Sequence, residues 1–288
     1  MLTIDPSSTP QNLLHSHLVS SVGPRPICFA STIDSLGNPN LAPFSFFNIM
    51  GSNPPIAVFS PARSGRTGNN KDTVYNVKEV PEVVINIVTY SMVQQMSLAS
   101  AEYPKGVNEF IKSGFTPIPS EKVRPFRVKE SPVQMECKVL EVKETGTGGG
   151  SGNLIICEII LMHINEEVLN ADGRIDQTKI DTVGRMGANF YCRAHGEALF
   201  EQPQPGHNLG IGIDSLPASI RNSKILSGND LGRLGNIPHL PSDADVQAYK
   251  ATLKKKFGNE DELHTEAKKL LEGNHVVEAW KVLLAGFS

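Results

Sequence analysis

The sequence predicts a mainly β protein: a barrel-like core with short helical insertions, followed by a small C-terminal α-helical extension. Three observations carry this. Between about residues 25 and 164 the apolar residues fall in short runs, several of them β-branched and bounded by Pro, Gly, Asn or Asp. Strand-like runs do not alternate with long helices there, so a parallel sheet is not expected. After about residue 240 the apolar spacing changes to that of amphipathic helices, three in succession.

The elements follow in order. "RPICFASTI" (25–33) is an apolar run that ends in "DSLGN", a turn signal carrying Asp34, Gly37 and Asn38. "PPIAVFSP" (54–61) is a short run bounded by prolines. "EVVINIV" (82–88) is β-branched and too short for a stable helix. "PVQMECKVLEVKE" (132–144) alternates in places, with Val133, Met135, Cys137, Val139 and Val142 as the inward set, and "NLIICEIILMHI" (153–164) follows. Between them lies "TGTGGGSG" (145–152). It has no G-x-G-x-x-G register and joins two strand-like runs, so it reads as a long hairpin loop rather than a phosphate loop. Short helices are expected at "KDTVYNVKEV", with Asp72 or Thr73 as cap and Val74, Val77 and Val80 at helical spacing, and at 92–99 and 107–112.

"QPQPGHNLG" (202–210) is a linker by composition, which divides the chain into 1–202 and 203–288. Beyond it, Ser242 and Asp245 form a capping pair for a helix carrying Val246, Tyr249, Leu253 and Phe257. Leu263, Ala267, Leu270 and Leu271 make a second stripe. Asn274 opens a third helix with Val277, Trp280, Leu283 and Leu284.

A formal net charge of −3 disfavours nucleic acid or an anionic membrane as partner. The longest apolar stretch, 154–164, is broken by Glu158 and falls far short of a span of about 20 residues. The first residues show no basic and apolar leader pattern. The four cysteines are scattered with no C-x-x-C, which reads as buried free thiols in a reducing cytoplasm. No metal site, no G-x-S-x-G and no H-E-x-x-H is present, and no catalytic acid–base pair stands out. His15 and His17 read as surface or interface residues, and His163 and His195 as structural ones.

Two stretches carry candidate chemistry. "RSGRTGNNKDT" (63–73) places Arg63, Arg66 and Lys71 in a loop that runs into a helix N-terminus, where outward N–H groups and the dipole favour an anion such as a phosphate monoester. The same residues also suit a solvated basic loop with an ordinary cap. "NLAPFSFFN" (40–48) crowds Phe44, Phe46 and Phe47 among small polar residues, with a proline to hold the backbone away from helix. It suits barrel core, with Phe44 and Phe46 on one side and Phe47 facing a second layer, a partner or a ligand. It also suits the wall of a flat heteroaromatic ligand, with fixed hydrogen-bonding groups at its edge.

At these residues the sequence resembles a known family. "GPRPICFASTIDSLGNPNLAPFSFFNIMGSNPPIAVFSPARSGRTGNNKDT", continued through "EVVINIV", "AEYPKGVNEFIKSGF", "KESPVQMECKV" and "DTVGRMGANFYCR", is similar to the flavin reductase-like domain, the FMN-binding split-barrel group with flavoredoxin-type members. The resemblance covers roughly residues 15–200. It implies a Greek-key split β-barrel, non-covalent FMN, a homodimer with the flavin near its interface, and hydride transfer from NAD(P)H to the flavin. It also implies that Thr32, Ala42, Pro43, Phe44, Ser45, Phe46 and Asn48 line the ring and ribityl chain, with Arg63, Lys71, Asp72 and Thr73 at the phosphate. Ser60, Ala62, Glu102, Asn108 and Tyr191 are weaker candidates. The final electron acceptor, free flavin, a metal complex or a partner oxygenase, stays open. So does a second reading, an FMN-binding electron carrier or partner-dependent subunit with no nicotinamide site of its own.

Overall fold

The computed structural model describes residues 1–202, 209–253 and 256–286. The chain divides into two compact units, Met1–Phe200 and Glu201–Ser288. Most of the expected linker, residues 203–208, lies outside the described residues.

The first unit opens with a helix, α1 (Gln11–Ser21), and is built on eleven strands: β1 (Cys28–Ile33), β2 (Pro39–Phe44), β3 (Phe47–Ser52), β4 (Pro55–Phe59), β5 (Glu82–Ile87), β6 (Pro117–Ile118), β7 (Arg127–Val128), β8 (Val133–Glu144), β9 (Asn153–Ile164), β10 (Val183–Arg185) and β11 (Tyr191–Arg193). Seven of them form one antiparallel sheet in the order β2-β1-β5-β8-β9-β4-β3. The two edge strands, β2 and β3, are separated in the chain by Ser45 and Phe46 alone. Three Cα steps reach at most about 11 Å, whereas seven flat strands would hold their edges about 28 Å apart. The sheet therefore curls until its edges nearly meet, and the split in the barrel lies at Ser45–Phe46. The N–H of Ser60 donates to the Phe46 carbonyl at 2.8 Å, and the Phe44 ring lies 5.7 Å from Phe59 across the seam.

Strand β1 reads as a continuous apolar run because both its faces are buried. Cys28 and Ala30 point into the barrel core with Phe59, Ile85, Cys137 and Ile155. Phe29 packs outward with Met92, Met96 and Phe110, under α3 (Val93–Leu98) and α4 (Glu109–Ser113). The expected inward set of β8 holds: Val133, Met135, Cys137 and Val139 are buried and Val142 packs against them. The parity changes after Val139 because the register with β9 shifts between Val139 and Glu141. Residues 145–152 join β8 to β9, as expected of a hairpin loop. Gly149 lets that loop approach the 63–68 loop, since a Cβ there would stand 3.0 Å from the Ser64 carbonyl. All four cysteines are free and three are buried. Burial pushes the Cys157 thiol up to about 12.

One expectation is corrected at the seam. The strand stops at Phe44 and restarts at Phe47, so the parity resets. Phe44 and Phe47 pack against the core, and Phe46 is left 41% exposed.

The second unit holds α6 (Ala218–Arg221), α7 (Gly228–Gly235), α8 (Asp243–Thr252), α9 (Glu260–Glu272) and α10 (Val276–Ala285), after α2 (Asp72–Glu79) and α5 (Gln177–Ile180) in the first. Its core surrounds Trp280, which is fully buried and donates from Nε1 to the Leu234 carbonyl at 3.0 Å. Ser242 caps α8 by accepting from the Asp245 N–H, as its spacing predicts. The last helix starts at Val276 rather than Asn274, whose φ of 63° belongs to the turn. Val276 packs in the core and Val277 is exposed, the reverse of the expected stripe. Helices α1, α5, α6 and α7 are additions to the sequence reading.

Candidate functional site

The break between β2 and β3 opens a cavity of about 420 Å³ at the barrel seam. Pro43, Phe44, Ser45 and Phe46 form one wall, Ser60, Ala62 and Lys71 a second, and Arg25, Arg185 and Met186 a third. Helix α1 closes one side with His15, Ser16 and Val19. Arg25 is 7% exposed, and its guanidinium donates to the carbonyls of Val22 at 2.6 Å, Met186 at 3.0 Å and Val19, and approaches Ser45 Oγ at 3.5 Å. Burial, and then the positive charge of Arg185, lowers the Arg25 pKa. Among the described residues, three cations and no carboxylate line the cavity. Such a site favours an anionic or electron-rich occupant. At its rim Ala188 holds φ 49°, a left-handed conformation that costs a residue with a Cβ about 1–2 kcal/mol and that concentrates at ligand sites.

A second cleft of about 200 Å³ shares Pro43, Phe44 and Lys71 with the seam cavity. Ala42, Asp72, Thr73 and Glu102 line it, with the 64–70 loop. The helix N-terminus expected there is present, but its cap is Lys71, with no side chain bonded to it. Asp72 and Thr73 lie inside the first turn instead. The Thr73 hydroxyl is spent on Asn40 Oδ1 at 2.9 Å. Asn40 passes the connection on, donating to Glu109 Oε2 at 3.2 Å, and the Leu41 N–H donates to the same oxygen at 3.1 Å. Burial raises the Glu109 pKa. This network ties β2, α2 and α4 together around the cleft.

The basic residues of the loop divide into two roles. Lys71 Nζ and Arg66 Nη2 both meet Glu102, at 2.5 and 2.8 Å, at the mouth of the cleft. The hydrogen bond and charge of Lys71 hold the Glu102 carboxyl below its ordinary pKa. Arg63 turns away: it donates to Glu144 at 2.7 Å and to the Gly68 carbonyl at 3.2 Å, and so fixes the loop's shape.

Four other expected residues stand apart from both spaces. Thr32 is fully buried, accepts from Asn76 Nδ2 at 3.1 Å and meets Asn40 at 3.4 Å, so it supports the cleft from behind. Asn48 lies exposed on edge strand β3, where its Oδ1 accepts from the Ile49 N–H. Tyr191 lines a neighbouring cleft with Tyr90 and Arg193. Asn108 serves as the cap of α4, accepting from Phe110 N–H. Sequence reasoning missed α1, Arg25, Arg185 and Met186. Arg25 was visible only as the first residue of an Arg-Pro pair. The weak apolar spacing of α1 buries no residue and gave no signal.

The family model for the flavin reductase-like domain matches residues 21–179. The chain therefore belongs to the flavin reductase-like family, and its fold is that family's split barrel. An uncharacterized protein of Aquifex aeolicus (strain VF5) is 35% identical over 190 residues, 66% of this chain and 94% of that protein. The crystal structure of nitrilotriacetate monooxygenase component B from Bacillus cereus is similar at 30% identity and a TM-score of 0.64, over 71% of this chain and 98% of that one. Pseudomonas fluorescens 2-nitrobenzoate 2-nitroreductase is similar at 27% identity and 0.62, over 70% and 96%. Flavoredoxin of Desulfovibrio vulgaris (Miyazaki F) is similar at 25% and 0.53, over 62% and 90%.

Proposed function

We propose that the protein binds FMN non-covalently at the barrel seam and acts as a flavin reductase, taking a hydride from NAD(P)H and handing electrons to an acceptor. The carrying observation is the cation-lined, carboxylate-free seam cavity, walled by Phe44 and Phe46, in a chain of this family. The residues present fit the group. Pro43, Phe44, Ser45 and Phe46 offer a flat apolar wall with polar edges. Lys71 and the first turn of α2 offer a charge and N–H donors to the phosphate. When bound, the flavin supplies the redox chemistry. The protein's part is to bind and orient it and to set its electrostatics: Arg25 and Arg185 favour negative charge on the ring. No general acid or base is required of the chain.

The assembly we propose is a homodimer. The outward side of β9 presents Ile160, Met162 and Ile164, each more than a third exposed, in one apolar strip. An oxygenase that consumes reduced flavin fits the role of the acceptor, in keeping with the monooxygenase component among the similar structures. A cytoplasmic setting fits the free thiols. The test is a titration of flavin-free protein with FMN, followed by fluorescence quenching and the visible spectrum. Saturable binding with a shifted spectrum is expected, and spectra that merely add would overturn the reading.

A further inference from the structure

A third space, of about 660 Å³, lies along the β10–β11 hairpin, and Arg185 belongs to both it and the seam cavity. Its walls carry two prepared stacks. The Arg193 guanidinium sits 3.9 Å over the Tyr90 ring centroid, and Arg185 sits 4.7 Å over Tyr191. Arg193 is fixed in place by both oxygens of Asp181, at 2.7 and 2.8 Å, and Asp181 itself holds φ 50°. Phe190 stands at the hairpin tip, 73% exposed. Among the described residues no acidic side chain lines the cleft, and Arg185 has no carboxylate partner. Gln94, Ser97 and Asn189 add neutral donors and acceptors along the wall.

We infer that this cleft is a nucleotide site. It takes the adenosine-phosphate end of a dinucleotide hydride donor, with the purine against the Tyr90–Arg193 stack and Phe190. The phosphates lie toward Arg185, so the other end of the ligand reaches the seam cavity. A guanidinium held over an aromatic ring adds to a surface that suits a heteroaromatic base, and Arg185, which beyond its Tyr191 contact donates to the Phe190 carbonyl at 3.4 Å, keeps guanidinium donors that match phosphate oxygens. The volume exceeds what a single ring needs and suits a nucleoside diphosphate. Arg185 lines both spaces, so they are neighbours. The inference rests on the reductase reading for its dinucleotide, but the cleft can be tested apart from it.

ADP is the probe, with the full chain loaded with FMN. Equilibrium dialysis should show ADP binding that Tyr90→Ala and Phe190→Ala each weaken about tenfold, the loss of one base-stacking surface. FMN affinity should stay within twofold in both. Arg193→Gln gives a second disruption of the same stack and should weaken ADP likewise. In steady state, ADP should compete with NADH or NADPH and not with FMN. No ADP binding, binding equal in all variants, or ADP displaced by FMN would overturn the site. ADP binding that the variants lose, in a protein whose flavin no nicotinamide reduces, would uphold the cleft and sink the reductase reading alone.

Discussion

Lys71→Ala separates the phosphate from the ring. Lys71 stands at the junction of the seam cavity and the cleft, at the cap position of α2, with its Nζ 2.5 Å from Glu102. A hydrogen bond to a charged group is worth about 1.5–3 kcal/mol. The lysine is 35% exposed and must exchange Glu102 for the ligand, which puts it at the low end. About 1.5 kcal/mol is about tenfold in affinity. Fluorescence titration should therefore show FMN weakened about tenfold by Lys71→Ala, with riboflavin, which has no phosphate, changed less than twofold. Glu102→Gln should move FMN the other way, since it removes the competing anion, and should leave riboflavin alone. Arg66→Ala should change FMN little, because the residue is 79% exposed. Equal losses for FMN and riboflavin in Lys71→Ala would refute the phosphate assignment. So would unchanged FMN affinity.

Glu109→Ala should lower stability by about 2–3 kcal/mol in chemical denaturation, since it strips the buried Leu41 N–H of its acceptor. Burial raises the Glu109 pKa, so the folded state keeps a proton that the unfolded chain has released. This group's contribution is greatest below the ordinary carboxylate pKa and falls as pH rises through its raised folded value. Glu109→Gln should flatten that slope, and an unchanged pH profile would remove the carboxylate from the account. Trp280→Phe leaves the Leu234 carbonyl without its donor and opens space in the second unit; a loss of about 2–4 kcal/mol is expected for that unit, read by hydrogen exchange in the full chain. Ile160→Asp with Met162→Asp should halve the mass seen by light scattering, and an unaltered mass would move the dimer surface elsewhere.

The fold was legible where burial imposes period and where turns carry their own chemistry. β8 announced its inward residues, and the Ser242–Asp245 pair announced α8. The barrel seam was not legible in detail, because strand parity alone cannot show that two residues, Ser45 and Phe46, join opposite edges of a sheet. Without that fact, strand parity set Phe46 on the same side as Phe44 in the core reading, and only the ligand-wall reading left it at the cavity. Along the 63–73 loop the sequence revealed the cations but not their partners. Arg63 belongs to Glu144, while Lys71 remains at the cavity. Arg25 and Arg185 lie far apart in the chain and meet through paired backbone bonds, Arg25 N–H to the Arg185 carbonyl at 2.9 Å and the reverse at 2.8 Å. Long-range pairing of that kind leaves no local pattern. Thr32 was legible as a polar residue near the site, but its role, with Asn40, is to brace β2 and α2 from within.

Anaerobic mixing of the FMN-loaded protein with NADH, and separately with NADPH, tests the central claim most directly. The account predicts that the yellow flavin absorbance bleaches within seconds with at least one of them, and returns when air is admitted. Flavin that stays bound and yellow with both would contradict a reductase and leave a carrier that another protein must reduce.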